Sequence, residues 1–243
     1  MSSATTAEAA AELRTVFKLQ KDEQGNWRVA ELRTKPNRWE AIDVMATALG
    51  AHVASNTCVT DPPFKGSSSV QPSMRRARCL LGSLLGVEMP SDAIRIQEVS
   101  PLEIPLGDRP SAVVVAWVRV DARLTNGSKG WQVTELRTGN HNWVNLDTLA
   151  AAVNEKKRAQ VRVELVAMAK ALEAFRKDRG SYIVSDSHVV LIDYLNPRYL
   201  PVVVRVDPWS QPYKYQGDRD HFTLRSLGPD EKENTADDIL VNQ

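Results

Sequence analysis

Apolar and polar positions along this chain follow two different periods, and the change between them divides it. The first part alternates with a period near two. Extended runs at Val16 to Leu19 and Val113 to Leu124 each meet a glycine-containing turn, Glu23-Gln24-Gly25-Asn26 and Asn126-Gly127-Ser128-Lys129-Gly130. A second alternating strand follows each turn. In the later strand the alternation places Trp131, Val133 and Glu135 on one face and Leu136 on the other, the pattern of a half-buried strand. A short loop then leads to Trp39 or Trp143 and into a helix, with Asn145 as a candidate N-cap for the second.

These two stretches also share residues. Trp27-Arg28-Val29-Ala30-Glu31-Leu32-Arg33-Thr34 recurs as Trp131-Gln132-Val133-Thr134-Glu135-Leu136-Arg137-Thr138 at an offset of 104, which also carries Trp39 onto Trp143, Asp43 onto Asp147, Ala46 onto Ala150 and Ala48 onto Ala152. One ungapped register over such a length points to a duplicated strand-strand-helix module, with copies at about 14–50 and 111–153 in a region spanning 1–153. Between the copies, Val59 to Gln71 is rich in Pro, Gly and Ser and reads as a linker. Met74 to Leu85 reads as a short amphipathic helix and Ile94 to Val99 as a strand. The Arg75-Arg76-Ala77-Arg78 cluster is expected to be a solvated helix face. The Trp27/Trp131 and Trp39/Trp143 pairs are expected to anchor the core of each copy. The Arg33-Thr34 and Arg137-Thr138 pairs either bind a ligand or cap the following helix.

Beyond the second copy the period becomes helical. Val161, Leu165, Met168, Leu172 and Phe175 form one stripe, and Gly180 stands where a left-handed C′ residue ends a helix. A helix from Leu146 to Asp178 would be about 50 Å long. Glu155-Lys156-Lys157-Arg158 has no apolar member, so it is an exposed stretch or a break, and a second domain is placed at 154–243. There Tyr213 to Tyr215 and Phe222 to Arg225 read as a hairpin across Gly217-Asp218-Arg219-Asp220. The expected fold class is α+β.

Composition removes several functions. Thirty-one basic and thirty acidic residues leave a net charge of +1, which gives no drive toward nucleic acid or an anionic membrane. No apolar run approaches the ~20 residues of a spanning helix, and the N-terminus carries no export signature. His52, His141, His188 and His221 are far apart, and neither a phosphate-binding glycine loop nor a nucleophile elbow is present, so no catalytic site is expected. Cys58 and Cys79 match no zinc spacing. In an exported protein they would pair, worth roughly 3 kcal/mol; in a cytosolic one they would stay free and buried.

The last forty residues carry the candidate chemistry. Asp207-Pro208-Trp209-Ser210-Gln211-Pro212-Tyr213 is a rigid aromatic turn, and Asp230, Asp237 and Asp238 gather on one later loop without histidine or cysteine. Hard oxygen ligands on such a loop suit calcium. On chemistry alone a solvated acidic turn stands equally well.

The order of C-terminal motifs resembles the globular part of the major pseudopilin of type II secretion systems, protein G, over about residues 158–243. The carriers are Asp178-Arg179-Gly180-Ser181-Tyr182 at the helix end, Leu200-Pro201, the Asp207 to Tyr213 turn with Ser210 where the family pattern has glycine, Ser226-Leu227-Gly228-Pro229-Asp230, and Ala236-Asp237-Asp238-Ile239. The resemblance implies a long helix on a small antiparallel β-region, and a calcium ion held by Asp230 and Asp237, the Leu227 carbonyl and a group from Asp238. It also implies a non-enzymatic role in the bacterial cell envelope, on the periplasmic or extracellular side, with other secretion or pilus-type proteins as partners.

One departure qualifies this. The family's leader and N-terminal apolar helix are missing, and the tryptophan-rich repeat stands in their place. Either the domain serves as a calcium-stiffened binding head, or the natural protein begins with a membrane anchor that this chain lacks. The competing reading places a ligand-binding module or an enzyme in the duplicated region, with the C-terminal domain as a stabiliser.

Overall fold

The computed structural model describes residues 5–36, 38–48, 58, 71–102 and 109–243. His52 and all of the expected linker except Gln71 lie outside them. The chain is α+β with antiparallel sheets and divides into two units, Met1–Ala152 and Val153–Gln243.

The first unit is built from β1 (Thr6–Lys21), β2 (Trp27–Lys35), β3 (Arg38–Ala41), α1 (Ile42–Ala48), α2 (Met74–Leu85), β4 (Ile94–Pro101), β5 (Ser111–Gly127), β6 (Gly130–Arg137) and β7 (Val144–Asn145). Its sheet runs β3-β2-β1-β5-β6-β7, with β4 added to β5. The centre is the long antiparallel pair β1/β5, continuous from Thr6↔Thr125 to Gln20↔Ser111. Sequence alternation reveals β1 only from Val16. Its first half, Thr6 to Leu13, is mostly alanine and glutamate, poor strand formers held extended by the ladder with β5.

Hairpins β1–β2 and β5–β6 share a register. Phe17↔Leu32, Lys18↔Glu31, Leu19↔Val29, Gln20↔Arg28 and Lys21↔Trp27 in one correspond to Ala122↔Leu136, Arg123↔Glu135, Leu124↔Val133, Thr125↔Gln132 and Asn126↔Trp131 in the other. Each carries a bulge at the same place, Lys18/Leu19 and Arg123/Leu124. The bulge corrects the expected faces of β6. It inserts Thr134, so Glu135 turns to the polar face and joins Arg123 at 3.0 Å, while Leu136 joins the apolar side.

One face of the sheet makes the core. Phe17, Leu19, Trp27, Val114, Ala116, Val118 and Val120 pack with Ile94 and with Ala77, Leu80 and Leu81 of α2. Ser73 caps α2 by accepting from the Arg76 amide, and Gly86 ends it in the left-handed region. The two cysteines are joined, Cys58–Cys79, with Cα atoms 5.9 Å apart. The other face is a ladder of ion pairs, including Lys18–Glu31, Arg123–Glu8 and Arg137–Asp121.

The second unit contains most of α3 (Leu146–Arg179), with α4 (His188–Leu195) and the sheet β10-β9-β8, made of β8 (Lys214–Gly217), β9 (Phe222–Ser226) and β10 (Ile239–Asn242). Asn145 accepts from the Thr148 amide at 3.0 Å and caps α3. Gly180 closes it at φ +85°, its N–H donating to the Arg176 carbonyl at 2.7 Å. The stripe from Val161 to Phe175 is buried against Leu191, Leu195, Tyr213, Phe222 and Leu224. The helix is unbroken through Glu155 to Arg158, where Lys157 turns inward and lays its ammonium over the Trp209 ring at 5.9 Å. That inward lysine is why the stretch needs no apolar member.

Candidate metal centre

The aromatic turn is organised by one buried carboxylate. Asp207 Oδ1 accepts from the backbone N–H groups of Trp209 and Gln211, both at 2.9 Å, and Oδ2 accepts from the Ser226 hydroxyl at 2.6 Å. Ser226 is fully buried, and its Oγ accepts in turn from the Gly228 amide at 3.3 Å. Asp207 therefore joins the turn to the first residues of the acidic loop. Trp209 lies in the core, with its indole N–H donating to Asn154 of α3 at 3.0 Å. Tyr213 donates to Glu164 of the same helix. Burial and that neighbouring carboxylate push the Tyr213 phenol far up, so it stays a neutral donor.

Two glycine-type positions shape the region. Ser210 sits at φ +67°, in the left-handed region that glycine adopts most readily. Gly228 sits at φ +66°, and a Cβ on it would lie 2.3 Å from the Asp237 carbonyl oxygen. The loop after Leu227 can therefore close tightly only with glycine at 228.

Within the loop, Asp230 and Asp237 come together. Asp237 Oδ2 accepts from the Asp230 amide at 3.0 Å, and its Oδ1 accepts from the Thr235 hydroxyl at 2.7 Å. That hydroxyl also lies 3.3 Å from Asp230 Oδ1, which accepts from the Lys232 amide at 2.8 Å. The Thr235 hydrogen bond, followed by amide bonds, holds the Asp237 carboxyl below the usual carboxylate range. Asp238 points elsewhere. Its Oδ2 accepts from the Asn234 amide at 3.0 Å and faces the Arg225 guanidinium at 3.4 Å, while its Oδ1 is buried with no hydrogen-bond partner. Leu227 buries its side chain between Ser226 and Gly228.

Among the described residues no three His, Cys, Asp or Glu side chains form a ready metal group. The loop nonetheless offers only oxygen donors, one of them a buried acceptor without a donor, which is the chemistry of a hard cation. Sequence reading found the loop carboxylates but missed Asp207 as the hub and Asn154, Lys157 and Glu164 as its helical supports. Polar residues on an otherwise solvated helix face carry no one-dimensional signal of an inward turn.

In the first unit, Arg33 lies over Trp39 at 5.9 Å and Arg137 over Trp143 at 4.6 Å, and Arg137 also pairs with Asp121 at 2.8 Å. A cleft of about 320 Å³ is lined by Arg14, Val16, Arg33, Thr34, Lys35 and Pro36. A second, of about 370 Å³, includes Arg123, Thr134, Glu135 and Asn145. Neither lining contains a histidine, cysteine or serine. His188 is buried on α4, where burial lowers its pKa below 6.5 and leaves Nε2 without a partner.

Comparison with curated proteins and with solved structures yields no match. A family model described as Type II secretion system (T2SS), protein G, matches residues 148–242, which bears out the resemblance carried by the C-terminal motifs.

Proposed function

We propose that this chain is a non-enzymatic, pseudopilin-like component or adaptor of a bacterial type II secretion or pilus-type system. It acts through protein–protein contacts, with its C-terminal loop stiffened by calcium. The observation that carries the reading is the protein G family match over 148–242, coincident with the buried Asp207–Ser226 link that builds the loop. Asp230 and Asp237 would supply carboxylates, the Leu227 carbonyl a backbone ligand, and Asp238, whose buried Oδ1 has no hydrogen-bond partner, the remaining group. The ion neutralises clustered carboxylates and ties the tail to β9; it plays no part in bond chemistry. The Cys58–Cys79 disulfide supports an oxidising compartment, as on the periplasmic or extracellular side of the cell envelope. Among the described residues no helix is long and apolar enough to cross a membrane. The shared hairpin register supports a duplicated module in the first unit.

Thermal melts with calcium or chelator, on the wild-type chain and on an Asp230→Ala/Asp237→Ala double variant, test the metal. Calcium should raise the wild-type transition by several degrees and leave the variant unmoved. A wild-type curve indifferent to calcium would sink the site.

A further inference from the structure

The first unit has two equivalent places on its sheet, and the described residues fill one. β2 maps onto β6 at an offset of 104 residues and β1 onto β5 at 105, because the second turn is one residue shorter. Since β1 and β5 are antiparallel neighbours, the two hairpins are related by an approximate twofold axis perpendicular to the sheet, so corresponding residues point to the same face. On the first hairpin that face is covered: α2 packs over Trp27, and β4 extends the sheet by pairing with β5 from Val118 to Ala112. Under the twofold, Val118 to Ala112 become Leu13 to Ala7 of β1. Among the described residues nothing pairs with the free edge of β1 from Thr6 to Leu13, and nothing corresponds to α2.

The uncovered place is apolar. Trp131, Val133 and Leu13 are 47%, 44% and 42% exposed, and Ala7, Ala9 and Ala11 lie exposed beside them on the same face. Trp27, the counterpart of Trp131, is 3% exposed. A retained tryptophan on the same face as an unpaired strand edge, with β5 and β1 between them, combines two features that mark binding surfaces: a desolvatable aromatic anchor and a template for strand addition.

We propose that this second place receives a helix–strand segment from a partner protein. The strand pairs with Thr6–Leu13, and an amphipathic helix lies over Trp131 and Val133 as α2 lies over Trp27 and Val29. The helix needs small or aliphatic residues at the spacing of Ala77, Leu80, Leu81 and Leu84, and the strand needs apolar residues alternating toward Ala7, Ala9, Ala11 and Leu13. In a second copy α2 and β4 are already engaged over Trp27 and against β5, so lending them would open that copy's first place. The inference deepens the protein-contact reading by naming the surface, and it does not depend on calcium.

The test is binding of a fluorescein-labelled peptide spanning residues 73–101, with Cys79→Ser, to the full chain. Fluorescence anisotropy should rise saturably with wild type and with Asp230→Ala/Asp237→Ala, which separates this surface from the metal loop. Trp131→Asp/Val133→Asp should weaken binding at least tenfold while its melting temperature stays near that of wild type. Absence of binding to wild type overturns the proposal. So does binding that the Trp131/Val133 variant leaves intact, because the peptide would then be displacing α2 from Trp27. Sedimentation showing a wild-type dimer lost in that variant also overturns it, in favour of a second copy.

Discussion

Trp27 and Trp131 hold the same place in their hairpins, opposite Lys21 and Asn126, yet one is buried at 3% exposure and the other open at 47%. The difference comes from what lies above them: α2 covers the first and no described element covers the second. Trp27→Ala should therefore cost about 3–5 kcal/mol, the range for emptying a large core site. Trp131→Ala should change stability by no more than about 1 kcal/mol. Urea unfolding of the two variants checks the contrast; equal losses would mean that the second tryptophan is also a core residue.

Asp207 holds three donors in the second unit, two of them backbone amides. Removing it leaves buried donors with no acceptor, so Asp207→Ala should destabilise by about 3 kcal/mol or more. Asp207→Asn keeps one acceptor and should lose less. Chemical denaturation followed by Trp209 fluorescence reads both.

Ser210 pays for a left-handed backbone that glycine adopts freely. Ser210→Gly should stabilise the second unit by up to about 1 kcal/mol, the strain relieved being partly offset by the greater freedom of glycine when unfolded. A lower melting temperature would show that the Ser210 side chain contributes contacts that outweigh the strain.

The disulfide closes a loop with a sequence separation of 21. In the chain-entropy model its loss costs roughly 3 kcal/mol. Cys58→Ser/Cys79→Ser, or wild type under reductant, should lower the stability of the first unit by about that amount. A variant that melts with oxidised wild type would contradict the tether on α2.

His188 gives the second unit a pH dependence near neutrality. Its folded-state pKa is lowered by burial, so the neutral ring is favoured in the native state and the unfolded chain takes up the proton first. Stability should therefore fall as pH drops below the unfolded value of 6.5, until the native-state pKa is reached. Melts between pH 7.5 and about 5 should show a steeper decline for wild type than for His188→Gln. Identical slopes would remove His188 as the cause.

Much of the local structure was legible in advance because it rests on local forces. Met74 to Leu85 and the stripe from Val161 to Phe175 announce helices by apolar spacing, and Asn145 and Gly180 mark helix ends by cap chemistry. The first half of β1 was not legible: Thr6 to Leu13 has no intrinsic strand preference and is extended only because β5 pairs with it. The face of Glu135 was misread for a similar reason, since a bulge belongs to two strands together and leaves no mark in one. At the loop, spacing identified Asp230, Asp237 and Asp238 as a group. Their division into a Thr235-bridged pair and an Arg225-facing partner follows from contacts made across the fold.

The sequence by itself determined the repeat, the long helix, the aromatic turn and the acidic loop, because periodicity, capping and backbone-restricted residues act over a few positions. Tertiary structure alone decided which of two equivalent tryptophans is core, which lysine turns inward, and which carboxylate holds the turn. Burial and pairing depend on elements distant in the chain, so closely similar local sequence meets a covered face in one hairpin and, among the described residues, an open one in the other.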